Sequence, residues 1–86
     1  PPNIRSFTVY PEPNVGTVHI SITTENSVPL SIVVTDVIGR VIMDIRDDHP
    51  ARTHFHQLNL EQVPSGLYLL RVIAGTEIRT RKIIRQ

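Results

Sequence analysis

Apolar and polar residues alternate along most of this chain, and that alternation confines it to strands. Val18, Ile20 and Ile22 alternate with Thr17, His19, Ser21 and Thr23. A period of two places one set on the covered face of a pleated strand and the other in water. The covered set is β-branched, which suits a pleated surface. Leu30, Ile32 and Val34 form a second inward set, and Val41, Met43 and Ile45 a third. Between these two lies Asp36-Val37-Ile38-Gly39-Arg40, a break containing a glycine. That break predicts a hairpin with a loop of about three to five residues. No stretch repeats apolar residues at helical spacing.

The remaining segments follow the same logic. Ser6 to Tyr10 is a short strand, and Pro11-Glu12-Pro13-Asn14 is a rigid bend in which Pro11 and Pro13 fix φ. Asp47-Asp48-His49-Pro50 reads as a loop. Thr53 to Leu60 is a weaker strand in which Phe55 disagrees in parity with Leu58 and Leu60, implying a bulge or an edge. Pro64-Ser65-Gly66 is a turn. Leu67 to Ala74 is apolar except for Arg71 and reads as the central, best-covered strand. After Gly75-Thr76 the chain returns antiparallel from Glu77 to Arg85. The prediction is an all-β fold, a small immunoglobulin-like antiparallel β-sandwich of six or seven strands. The chain's 86 residues suffice for one domain. It begins Pro1-Pro2-Asn3, so residues 1–5 are expected to end a linker from an upstream domain, and residues 6–86 to form the domain.

Little in the chain points to chemistry. There is no cysteine, which excludes disulfides and thiolate sites. The formal charge of +1 gives no nucleic-acid footprint, and no apolar run is long enough to span a membrane as a helix. His54 and His56 fall on one strand face and could form half of a metal site. The third ligand would have to come from elsewhere, for instance His19 or Asp44, and the spacing selects neither. The pair is therefore expected to lie on an exposed polar face, with no metal and no cofactor bound. Asp47, Asp48 and His49 sit where turn chemistry explains them, and Ser65 lacks a nucleophile motif. The expectation is a domain that is not an enzyme.

Four segments, in order, carry a resemblance to a known family. They are Val9-Tyr10-Pro11-Glu12-Pro13 with Gly16 and Val18-His19-Ile20; Ile32 to Ile42 with its Asp-x-x-Gly-Arg turn at Asp36, Gly39 and Arg40; Leu58-Asn59-Leu60 with Val63 to Val72, including Gly66 and Tyr68; and the ending Arg81-Lys82-Ile83-Ile84-Arg85. Together they resemble the type A C-terminal sorting domain of the type IX secretion system of Bacteroidota. Glu12 departs from that family's usual Tyr-Pro-Asn-Pro. The resemblance implies an exported protein, in the periplasm in transit and then at the cell surface or secreted. Its upstream cargo would be covalently linked. Its partners would be the outer-membrane translocon, its shuttle protein and a sortase-like signal peptidase that removes the domain in many members.

Each motif also has a plainer explanation. Gly39 and Gly66 serve chain reversal, Tyr68 is a packed core ring that permits a tyrosine-corner contact, and the basic ending is a solvated last strand. Lys82, Ile83, Ile84 and Arg85 are the candidate recognition residues, because a terminal edge strand offers backbone groups for β-augmentation. One of Ile83 and Ile84 must face outward unless a bulge intervenes. The rival reading is an immunoglobulin- or fibronectin-like spacer or carbohydrate-binding domain of an extracellular protein.

Overall fold

The alternating segments do become strands, but in fewer and longer pieces than expected. In the computed structural model, which describes residues 3–86, they are β1 (Ile4–Tyr10), β2 (Thr17–Thr35), β3 (Val41–Asn59), β4 (Gly66–Ala74) and β5 (Glu77–Arg85). There are five because the polar breaks at Glu25-Asn26-Ser27 and Asp47 to Pro50 do not reverse the chain. β2 and β3 pass them side by side, and Val28 still pairs with Ala51 between two register shifts. Extra residues bulge out of each strand while the ladder resumes beyond them. β1 begins at Ile4, which is buried, so Ile4 and Arg5 lie in the sheet rather than before it. Pro1 and Pro2 lie outside the described residues.

All five strands belong to one antiparallel hydrogen-bonded sheet. Each half of β2 has β3 along one edge. β1 takes the other edge along the first half, and β4 along the second, with β5 beyond β4. The core forms on one face, from Ile4 and Phe7, from Val18, Ile20, Ile22, Leu30, Ile32 and Val34, and from Leu58, Tyr68, Leu70, Val72 and Ile83.

The parity conflict in β3 resolves without a local slip. His54, Leu58 and Leu60 are all buried, while Phe55 is 71% exposed. The inward position goes to a histidine because its ring nitrogens find partners there, on Asp47 and the carbonyls of Val28 and Ala51.

β1 and β5 end opposite sides of the β1-β2-β4-β5 path, yet they meet. The join is made by side chains, not by a ladder. Glu77 accepts from the backbone N–H groups of Ile4 (2.7 Å) and Asn3. Arg79 donates to Ile4 O, and Arg81 donates to Phe7 O at 2.7 Å while lying over the Phe7 ring. These contacts occupy backbone groups that an edge strand would otherwise expose.

The Ile4 N–H, then Asn3 N–H and Arg79, hold the Glu77 carboxyl below the ordinary glutamate range. The unfolded chain therefore binds the proton more readily. Glu77 contributes stability above the ordinary glutamate pKa, and that contribution is lost as pH falls through the lowered folded value. Glu77→Gln is expected to melt lower at pH 7 and to show a flatter decline below about pH 4.5 than the parent. A series of thermal melts from neutral to acid pH checks this.

Tyr68 combines both roles considered for it. Its ring is buried, and its hydroxyl donates to Pro64 O at 2.6 Å. The contact ties the Pro64-Ser65-Gly66 turn to the start of β4. Tyr68→Phe keeps the ring and loses the bond, and is expected to cost about 1 kcal/mol in urea unfolding.

Candidate functional site

The two sides of β5 do different work, and the separation follows its parity. Glu77, Arg79, Arg81, Ile83 and Arg85 turn inward or reach across to neighbouring segments. Ile83 is fully buried. Arg85 donates through Nε to Leu60 O at 3.0 Å and through Nη2 to Glu61 O at 3.3 Å. Three of the four cations of β5, Arg79, Arg81 and Arg85, thus satisfy carbonyl oxygens of the fold. Two of the candidate recognition residues are corrected accordingly. Ile83 is core, and the Arg85 guanidinium is held by the Leu60–Glu61 turn. Lys82 and Ile84 remain exposed.

Their neighbours on β4 complete a surface. Leu67 pairs with Ile84, Leu69 with Lys82, Arg71 with Thr80 and Ile73 with Ile78. Leu67 is 41% exposed, Ile84 45% and Ile78 58%. β4 is therefore covered on one face only, contrary to the expectation from its apolar run. Its outer residues and those of β5 form an apolar face whose charged groups, Arg71 and Lys82, are both cationic.

The terminal backbone edge of β5, by contrast, is already occupied. Ile84 N–H donates to Glu12 Oε1 at 2.9 Å. Ile84 O accepts from Asn14 N–H (2.9 Å) and from Asn14 Nδ2 (3.0 Å), and Gln86 N–H donates to Asn14 O. β-Augmentation at this end is closed in the folded domain. Pro11 and Pro13 shape the segment that carries Glu12 and Asn14 to it. The two prolines' peptide bonds are cis. Asn14 is itself buried, its Oδ1 accepting from Gly16 N–H. No feature of the sequence marked Asn14; its partners on β5 lie some seventy residues away.

The Asp-x-x-Gly-Arg turn has a local explanation. Asp36 Oδ1 accepts from Ile38 N–H and Arg40 N–H, and Asp36 Oδ2 accepts from Arg40 Nε. Gly39 has φ +92°, a left-handed conformation that glycine adopts without cost. These residues make the five-residue loop between β2 and β3, with Val37 and Ile38 exposed at its tip.

His54 and His56 are not on an exposed polar face. Both point a ring nitrogen at Asp47 Oδ2, each at 3.1 Å. Neither group considered as a third ligand is there: Asp44 is exposed, and the His19 ring stacks on Tyr10. Asp47 is brought back over the histidines by the residues that bulge between them. The His54 hydrogen bond, then that of His49 N–H, holds the Asp47 carboxyl below its usual range. No helix among the described residues is long and apolar enough to cross a membrane.

A family model described as the secretion system C-terminal sorting domain matches residues 8–86. No curated protein matches the chain.

Proposed function

Since the chain belongs to the secretion system C-terminal sorting domain family of type IX secretion, we propose that it directs an attached cargo across the outer membrane by being recognised by the translocon and its shuttle protein. Family membership carries the coarser statement by itself: a sorting domain has cargo upstream, a secretion-system partner, and a destination at the cell surface or outside. The proposal adds the route through the periplasm, the absence of chemistry of the domain's own, and removal by a sortase-like peptidase after transport.

It also adds the surface. The outer face of β4 and β5 supports this reading best, because it is apolar, exposed and not needed to complete the core. Leu67, Ile84 and Lys82 lie together on it. A partner that covers this face would bury apolar area, worth roughly 25 cal/mol per Å², and would meet Arg71 and Lys82 with acidic groups. Burial of such a patch is a normal source of binding energy.

The direct test is transfer. A periplasm-targeted reporter is fused upstream of residues 1–86 and expressed in a host that has the type IX machinery. The fusion is expected at the surface or in the medium, and the reporter without the domain in the periplasm. A fusion retained in the periplasm would end the proposal.

A further inference from the structure

We propose that Asp47, His54 and His56 form a binding site for one divalent transition-metal ion of the Zn²⁺ type. The argument starts with His54. Its ring is buried, and its Nε2 lies 3.0 Å from Ala51 O and 3.2 Å from Val28 O. Carbonyl oxygens only accept, so Nε2 carries the hydrogen. Nδ1 is the nitrogen left to face Asp47 and His56. It lies 3.1 Å from Asp47 Oδ2, a hydrogen-bond contact whose proton a metal ion can replace. His56 Nε2 reaches the same oxygen at 3.1 Å. All three ligand atoms lie within 4.8 Å of one another.

One metal ion takes all three once the two imidazole nitrogens close to tetrahedral spacing, since two ligands of one ion with such bonds stand no more than about 4.2 Å apart. In a tetrahedral site with bonds of about 2.0–2.1 Å, adjacent ligand atoms stand about 3.3 Å apart. The two separations from Oδ2 already approach that value. The outer contacts are those that fix ligands in metal sites: the far nitrogen of His54 is held by backbone carbonyls, and the other Asp47 oxygen accepts from His49 N–H. Two imidazoles with one carboxylate favour Zn²⁺ over Ca²⁺ or Mg²⁺, which take oxygen ligands. Asp47 and His56 are partly open to solvent, while His54 is closed. The fourth position therefore faces outward, where water can fill it. An ion here would tie the first half of β3 to its second half across the bulge that separates them.

The experiment uses the tag-free chain of residues 1–86, titrated with Zn²⁺ by calorimetry and melted with and without the ion. The expected result is one ion per chain at micromolar or tighter affinity, with a thermal midpoint that rises with Zn²⁺ concentration and no rise with Ca²⁺. His56→Ala and Asp47→Asn are both expected to abolish the binding and the rise, and His19→Ala to keep them. Because His56 and Asp47 are partly exposed, these variants are expected to stay folded, and amide NMR spectra verify that. Two outcomes overturn the proposal. One is no binding in this range by the folded parent chain. The other is binding unchanged in folded His56→Ala and Asp47→Asn.

Discussion

Ile83→Ala is expected to lower the free energy of unfolding by about 2–5 kcal/mol, whereas Ile84→Ala, one residue further on, should change it by less than about 1 kcal/mol. Ile83 is fully buried opposite Tyr68, whose ring and hydroxyl organise the turn before β4. Deleting its outer atoms leaves a void in the buried cluster to which Leu58, Leu60 and Leu70 also belong. Ile84 points the other way. Its backbone bonds to Glu12 and Asn14 survive the substitution, and it lies opposite Leu67 on the outer face. A domain of this size has about 5–10 kcal/mol to lose, so Ile83→Ala should be close to unfolded at physiological temperature. Urea denaturation of the two variants reads the contrast directly. Equal losses would mean that β5 is not divided by parity between core and surface.

The strands were legible because their alternation is a purely local signal. Val18 to Ile22, Leu30 to Val34 and Leu67 to Ala74 appear where the pattern places them. The hairpin loop from Asp36 to Arg40 was legible for the same reason, since a short loop writes its own hydrogen bonds into neighbouring residues. The number of strands was not legible. A polar cluster such as Glu25-Asn26-Ser27 has the same composition whether the chain turns back or only bulges, and the pairing of Val28 with Ala51 decides between them.

The candidate site was read half correctly for a related reason. Parity alone shows that Ile83 and Ile84 cannot share a face, but not which faces the core. Arginine suggests an outward side. Here Arg79, Arg81 and Arg85 lie on the inner side, because each can reach past the sheet edge to a carbonyl of a distant segment. His54 inverted the reading of β3 in the same way: a polar residue took the buried position and left Phe55 outside. The arginines' partners are remote in sequence, and His54 is held both by distant Val28 and by Asp47 and Ala51 across the bulge.

The largest functional effect should come from the triple variant Leu67→Ser/Lys82→Glu/Ile84→Ser. It strips apolar area from the outer face of β4 and β5 and reverses its central charge. It leaves Ile83, Arg85 and the Asn14 bonds untouched. Exposed strand positions tolerate such changes at up to about 1 kcal/mol each, so the fold should persist. A partner that reads this face would lose its contact area and meet a like charge. Arg85→Glu is not an equivalent probe, because it removes the bonds to Leu60 O and Glu61 O and would confuse misfolding with lost recognition.

The decisive measurement is the fraction of a fused reporter exported in a type IX host. It compares the triple variant with the parent domain and with Phe55→Ser, a change at an exposed apolar residue on β3. Urea midpoints of the isolated domains are measured beside it. The parent and Phe55→Ser should be exported alike. The triple variant should accumulate in the periplasm although its domain remains folded. Normal export of the folded triple variant would contradict the assignment of recognition to the outer face of β4 and β5.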